Sequence, residues 1–123
     1  MPPPIHIGGL RQHNGSSIVG VLRQRGIIEA EAFDQKNVFE AAQIFLRLEG
    51  ILPAPESAHA VMGAMEQAVK YKDEERVIVF CLSGQGFLDL QSYATLLLEN
   101  SDETQHLSRP ADSPIEAAQR SLL

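Results

Sequence analysis

The sequence predicts an α/β chain, a partial three-layer parallel-sheet domain in which helices cover a short sheet. Val77-Ile78-Val79-Phe80-Cys81-Leu82 is a continuous run of six apolar residues, the pattern of a strand buried on both faces. Around it, segments with helical spacing alternate with short extended ones, as they do where helices pack on a parallel sheet. A third observation limits the first two. Only two strand-like segments are evident, and a two-stranded sheet is not stable by itself. The covering helices are present, and most of the sheet they should cover is not.

The elements follow in order. Residues 1–15 are expected to be extended, because Pro2, Pro3 and Pro4 fix φ. Ser16 to Arg25 reads as a short helix with Ser16 or Ser17 as N-cap and Gly26 just past its end. Ile27 to Phe33 alternates weakly and reads as a strand. Asp34 is placed to cap a helix whose apolar stripe is Val38, Ala41, Ala42, Phe45 and Leu48, closed by Gly50. Ile51-Leu52-Pro53-Ala54-Pro55 must be a turn or extended link. Ala58, Val61, Met62, Met65, Ala68 and Val69 form a second stripe running to about Tyr71, and Lys72 to Arg76 is a charged turn. After the apolar run, Tyr93 to Leu98 reads as a last short helix. Residues 1–99 therefore form the structured segment. Residues 100–123, rich in Ser, Asp, Glu and Thr, read as a flexible tail. Within it, Ser113-Pro114-Ile115-Glu116 has the form of a capping box that could open a short helix over 113–121.

Composition narrows the classes of function. The chain has 123 residues, 44% of them hydrophobic, enough for one domain with a core. Its formal charge of −6 disfavours binding to phosphate backbones, so no nucleic acid is expected. No apolar run approaches the roughly 20 residues of a membrane span, and no signal peptide is evident. Cys81 has no second cysteine to pair with. A cytoplasmic chain with no membrane attachment is the expectation.

Candidate chemistry concentrates at the end of the apolar run. Ligands sit at the carboxyl ends of parallel strands, and Ser83-Gly84-Gln85-Gly86 follows such a strand directly. Its glycines would let backbone N–H groups approach a ligand, and Ser83 offers a hydroxyl; the same residues also suit an ordinary turn. Glu56 opens a helix after two prolines. There it is either a charge facing a ligand or a carboxylate stabilised by the helix N-terminus. His6, His13, His59 and His106 are scattered without cysteine partners, so no metal site is expected, and His59 reads as a packing residue.

Three segments together resemble a known family. They are Pro2-Pro3-Pro4-Ile5-His6-Ile7-Gly8-Gly9-Leu10-Arg11, Glu49-Gly50-Ile51-Leu52-Pro53-Ala54-Pro55-Glu56-Ser57-Ala58-His59-Ala60 and Leu82-Ser83-Gly84-Gln85-Gly86-Phe87-Leu88-Asp89-Leu90. In this order and spacing they resemble C-terminal blocks of the tryptophan synthase beta chain, and of its second, beta-chain-like branch in particular. The resemblance covers about residues 2 to 98.

It implies the fold-type II class of pyridoxal-phosphate enzymes, which in this family join L-serine to indole by β-replacement. By resemblance, Ser83 would hydrogen-bond the pyridine nitrogen of the cofactor. Glu56 would lie beside the ring, with Gly84 at the same cofactor-binding edge. Gly8, Gly9 and Arg11 match a loop bordering the substrate region, although the typical branch carries an acidic residue at the place of Arg11. A hydroxyl partner tempers the electron sink and favours replacement at Cβ.

The family's Schiff-base lysine and phosphate-binding loop belong to blocks upstream of these. Lys36, Lys70 and Lys72 match neither. No catalytic residue is therefore expected in this chain, and no turnover by it alone. Two readings follow: part of a tryptophan synthase beta-like lyase completed by a complementary chain, or a non-catalytic, self-associating binding module derived from that fold. A homo-oligomer is expected in the second case, because an open strand edge invites pairing.

Overall fold

A computed structural model describes residues 7–11 and 15–103, except for the side chains of Arg11 and residues 97–103. These residues form four α-helices: α1 (Ser17–Gln24), α2 (Gln35–Glu49), α3 (Pro55–Lys70) and α4 (Leu90–Glu103). Two short 3-10 turns, Gly8–Arg11 and Gly86–Asp89, complete the regular structure.

Each helix begins and ends for a local reason. The backbone of Ser16 is extended ahead of α1, and Gly26 after it takes a φ of +67°. Asp34 sits at the N-cap of α2, and its carbonyl accepts from Val38 N–H at 3.1 Å, but its side chain makes no capping bond. Gly50 closes α2 at φ +71°, a left-handed conformation that costs glycine nothing, and its N–H reaches Leu46 O at 2.9 Å. Pro55 occupies the first turn of α3, where a missing N–H leaves no helical bond unmade.

Helices α2 and α3 form an antiparallel pair joined by the short link 50–54, and α4 packs against α2. Val38, Phe39, Ala41, Ala42 and Ile44 of α2 meet Ala58, Val61 and Met62 of α3, with Tyr93 and Leu96 of α4 and Ile7 and Leu52 closing the cluster. The buried stripe of α2 is wider than the sequence pattern indicates. Phe39 is buried because a second neighbour lies on that side: its ring meets Tyr93 edge-on at 4.7 Å. Leu48, placed on the stripe by spacing, is 58% exposed.

The expected sheet is not formed among the described residues. Ile27 to Phe33 is an irregular connection, although Phe33 packs against the core. Val77 to Leu82 is extended but belongs to no ladder; an isolated antiparallel bridge between Pro53 and Gln85 is the β-pairing present. Its exposure alternates with the period of a strand: Val77 and Val79 are 91% and 88% exposed, Ile78 and Phe80 37% and 38%. The less exposed face rests on the helices, with Phe80 edge-on to Phe45 at 5.9 Å. The other face and the backbone lack the neighbouring strands that six apolar residues in a row call for. The described residues are therefore mostly helical, with one strand-like segment left unpaired.

The last helix also differs from expectation. It starts at Leu90 rather than Tyr93 and runs to Glu103, across the boundary expected at residue 100. Residues 104–123, with the helix expected over 113–121, lie outside the described residues, as does the proline run at positions 2–4.

Phe39→Ala should remove the largest fully buried side chain and cost about 3–5 kcal/mol. Leu48→Ala should stay within about 0.5 kcal/mol. Urea denaturation followed by far-UV circular dichroism measures both.

Candidate functional site

The N-terminal end of α3 is where three separate segments meet. Pro53 and Pro55 have no N–H, so Ala54 holds the one backbone donor between them. It bonds Gly84 O at 2.8 Å. Gly86 N–H returns a bond to Leu52 O at 2.8 Å, and the two clamp residues 83–86 across the start of α3. The approach is close. A Cβ on Gly86 would fall 2.5 Å from Pro53 O, and one on Gly84 3.2 Å from the Ala54 methyl. Gln85 turns its side chain onto Phe87 N–H at 2.6 Å and starts the 3-10 turn that leads into α4.

Ser57 joins the second segment to the helix. Its Oγ accepts from Gly84 N–H at 2.9 Å and lies 3.0 Å from Ser83 Oγ. Ser57 is 2% exposed, whereas Ser83 faces solvent. Glu56, one residue earlier, is exposed and accepts from Gly9 N–H through Oε1 at 2.6 Å. A Cβ on Gly9 would lie 2.7 Å from that oxygen, so the contact needs glycine. Ile7, fully buried, anchors the Gly8–Arg11 turn on the core. The bond to Glu56 holds the turn at the end of α3.

Tyr93 ties the site to the core. Its hydroxyl donates to Pro53 O at 2.7 Å from a buried position. Burial, followed by the negative charges of Asp89 and Glu56, pushes its ionisation well above the ordinary phenol value. His59 donates Nδ1–H to Pro55 O at 3.0 Å, which places the neutral ring's lone pair on Nε2.

Of the residues singled out by sequence, Glu56, Ser83, Gly84 and Gly9 are brought to one helix end, and Gly8 stands in the turn beside them. The backbone of Arg11 closes that turn. Cys81 is exposed on the unpaired extended segment, not buried in a sheet as expected. Sequence reasoning missed Ser57 and Tyr93. A serine in the first turn of a proline-started helix, just before a buried alanine, was the available signal for Ser57. Tyr93 carries only the three-residue spacing to Leu96. A groove of about 300 Å³ lined by Glu31, Glu66, Gln67, Val69 and Lys70 lies at the opposite end of α3 and takes no part. Among the described residues, no helix is long and apolar enough to cross a membrane.

Folding holds Tyr93 in its neutral form, so its contribution is intact below pH 10.0 and is lost as pH rises above it. In a Tyr71→Phe background, ultraviolet titration should show no phenolate at pH 10.0, and ionisation only together with unfolding. Tyr93→Phe should leave Pro53 O without its partner and cost about 1–3 kcal/mol in denaturant unfolding.

No family model matches the chain. A tryptophan synthase beta chain 2 of Thermotoga maritima is 59% identical over 95 residues, covering 76% of this chain and 22% of the relative. A tryptophan synthase beta chain 2 of Aeropyrum pernix is 55% identical over 97 residues, 77% of this chain and 22% of its own. The tryptophan synthase beta chain of Thermosipho africanus is 50% identical over 95 residues, 76% of this chain and 23% of its own. The chain thus spans less than a quarter of the length of these relatives. Identity of half or more across three-quarters of the sequence places this chain in the tryptophan synthase beta chain family.

Proposed function

We propose that this chain supplies the pyridine-binding edge of a tryptophan synthase beta-type enzyme and acts with a complementary polypeptide. The observation that supports this is the meeting of Gly9, Glu56, Ser83 and Gly84 at one end of α3. Those residues come from three segments up to about 75 positions apart, yet hydrogen bonds join them.

The residues present suit the ring edge of pyridoxal phosphate. Ser83 offers an exposed hydroxyl, and Gly84 keeps the backbone beside it close to the helix end. The Glu56 carboxylate is held by Gly9 with its second oxygen unassigned to any partner. When bound, the cofactor would supply the electron sink for replacing the hydroxyl of L-serine by indole. The chain's own part is to donate the Ser83 hydroxyl to the ring nitrogen and to hold a negative charge alongside.

Lysine placement supports the need for a partner. Lys70 stands thirteen residues along α3 from Ser57, and Lys36 thirteen residues from the C-terminal end of α2, about 20 Å in each case. Lys72 lies beyond the end of α3. The complementary polypeptide would bring the attaching lysine and the phosphate site. A second reading, a self-associating binding module, is favoured by the unpaired, exposed Val77–Leu82 segment, whose open edges a second copy could cover.

Mixing the chain with the part of the Thermotoga maritima relative that it does not match, then adding pyridoxal phosphate, L-serine and indole, tests the proposal. Tryptophan should form with the pair and not with either alone. Ser83→Ala should keep the far-UV spectrum and lower turnover by about tenfold, the worth of one hydrogen bond. A chain that is dimeric by native mass and inactive in the mixture would support the second reading instead.

A further inference from the structure

We propose that Ser57 is a positioning residue that turns the Ser83 hydroxyl outward, so that the site selects a heterocyclic nitrogen bearing a lone pair. The inference rests on the reading of Ser83 as the partner of a pyridine nitrogen. It concerns a residue that does not touch the ligand.

The argument is an inventory of hydrogens. A serine hydroxyl has one hydrogen to give and two lone pairs to receive. Ser57 Oγ already accepts from Gly84 N–H at 2.9 Å. Ser57 is 2% exposed, which keeps water from taking its hydrogen, and the acceptor in reach is Ser83 Oγ at 3.0 Å. Were Ser83 the donor, Ser57 would receive two bonds and bury its own hydrogen without an acceptor. The described residues leave no buried side-chain nitrogen or oxygen unpartnered, and the reversed order would break that pattern. The order is therefore Gly84 N–H to Ser57, Ser57 O–H to Ser83, and Ser83 O–H to whatever stands in solvent beyond it.

Two consequences follow for a ligand. Ser83 enters the contact as a donor with its rotor set in advance, because one of its lone pairs is engaged from behind. Each bond in the chain also polarises the next, so the outward hydrogen is a better donor than that of a lone serine. A nitrogen with a lone pair is welcomed, and a nitrogen that carries hydrogen or methyl is not. Ser57 owes its place to α3: Pro55 starts the helix, and the third residue of the turn then faces the incoming Gly84 N–H.

The test uses the full 123-residue chain, labelled with nitrogen-15, with the Gly84 amide shift as readout. The probes are pyridoxine 5′-phosphate, which has no aldehyde to react with lysines, and its N-methylated pyridinium counterpart, which has no lone pair. The wild-type chain should prefer the first by roughly threefold to tenfold, the range of one net hydrogen bond. Ser57→Ala should bring that preference close to one, and Ser57→Thr, which restores a hydroxyl, should return it. A merely structural role would weaken both probes equally and leave the ratio unchanged. If Ser57→Ala keeps the preference while Ser83→Ala loses it, the positioning role of Ser57 is overturned and the reading of Ser83 stands. If the wild-type chain shows no preference, the reading of Ser83 falls and the inference falls with it.

Discussion

The reciprocal pair of bonds from Ala54 N–H to Gly84 O and from Gly86 N–H to Leu52 O is the constraint on which the rest of the site depends. It holds two segments some thirty residues apart in register without a sheet around them. Proline and glycine make it possible from opposite sides. Two prolines remove the competing donors, and two glycines remove the Cβ atoms that would keep the strands of chain apart. Once the clamp is set, Gly84 N–H and the Ser83 hydroxyl fall opposite Ser57, and the helix end acquires its polar cluster.

The core supports the clamp through a small number of links. Packing of α2 against α3 orients the helix end, and Tyr93 carries that order across to Pro53. Tyr93 reaches its position because Phe39 offers an aromatic edge on the far side of α2. Ile7 does the same for the Gly8–Arg11 turn, which would otherwise hang on one bond to Glu56. The site is thus assembled from loops, but each loop has an apolar anchor within a few residues. The polar contacts then choose among positions that burial has already limited.

The unpaired Val77–Leu82 segment is the counterpart of this order. Its alternating exposure shows that the segment has taken a strand's conformation and presents one face to the helices. Six extended residues whose ladder bonds are not made within the described residues, next to an exposed α1, mark the side on which further polypeptide fits. A family of proteins more than four times as long as this chain offers a source for it, and so does a second copy.

Much of this was legible in the sequence, for local reasons. Helical spacing with Gly50 and Pro55 as punctuation located α2 and α3 to within a residue or two, because those signals act within one or two turns. The three blocks carrying Gly9, Glu56 and Ser83 marked the residues that meet. What the sequence could not show was pairing. An apolar run specifies a strand that wants neighbours, not that neighbours are at hand, and here the helices cover one face alone. Nor could spacing show that Ser57 faces Gly84, that Phe39 faces Tyr93, or that Leu48 faces solvent. Those depend on where α4 and residues 83–86 come to rest against the helix pair. Sequence by itself determined the helices, their ends and the chemistry available, since each is decided by residues within a turn of one another. Tertiary structure alone decided which hydroxyl receives and which donates, because that choice is made by burial and by a donor arriving from twenty-seven residues away.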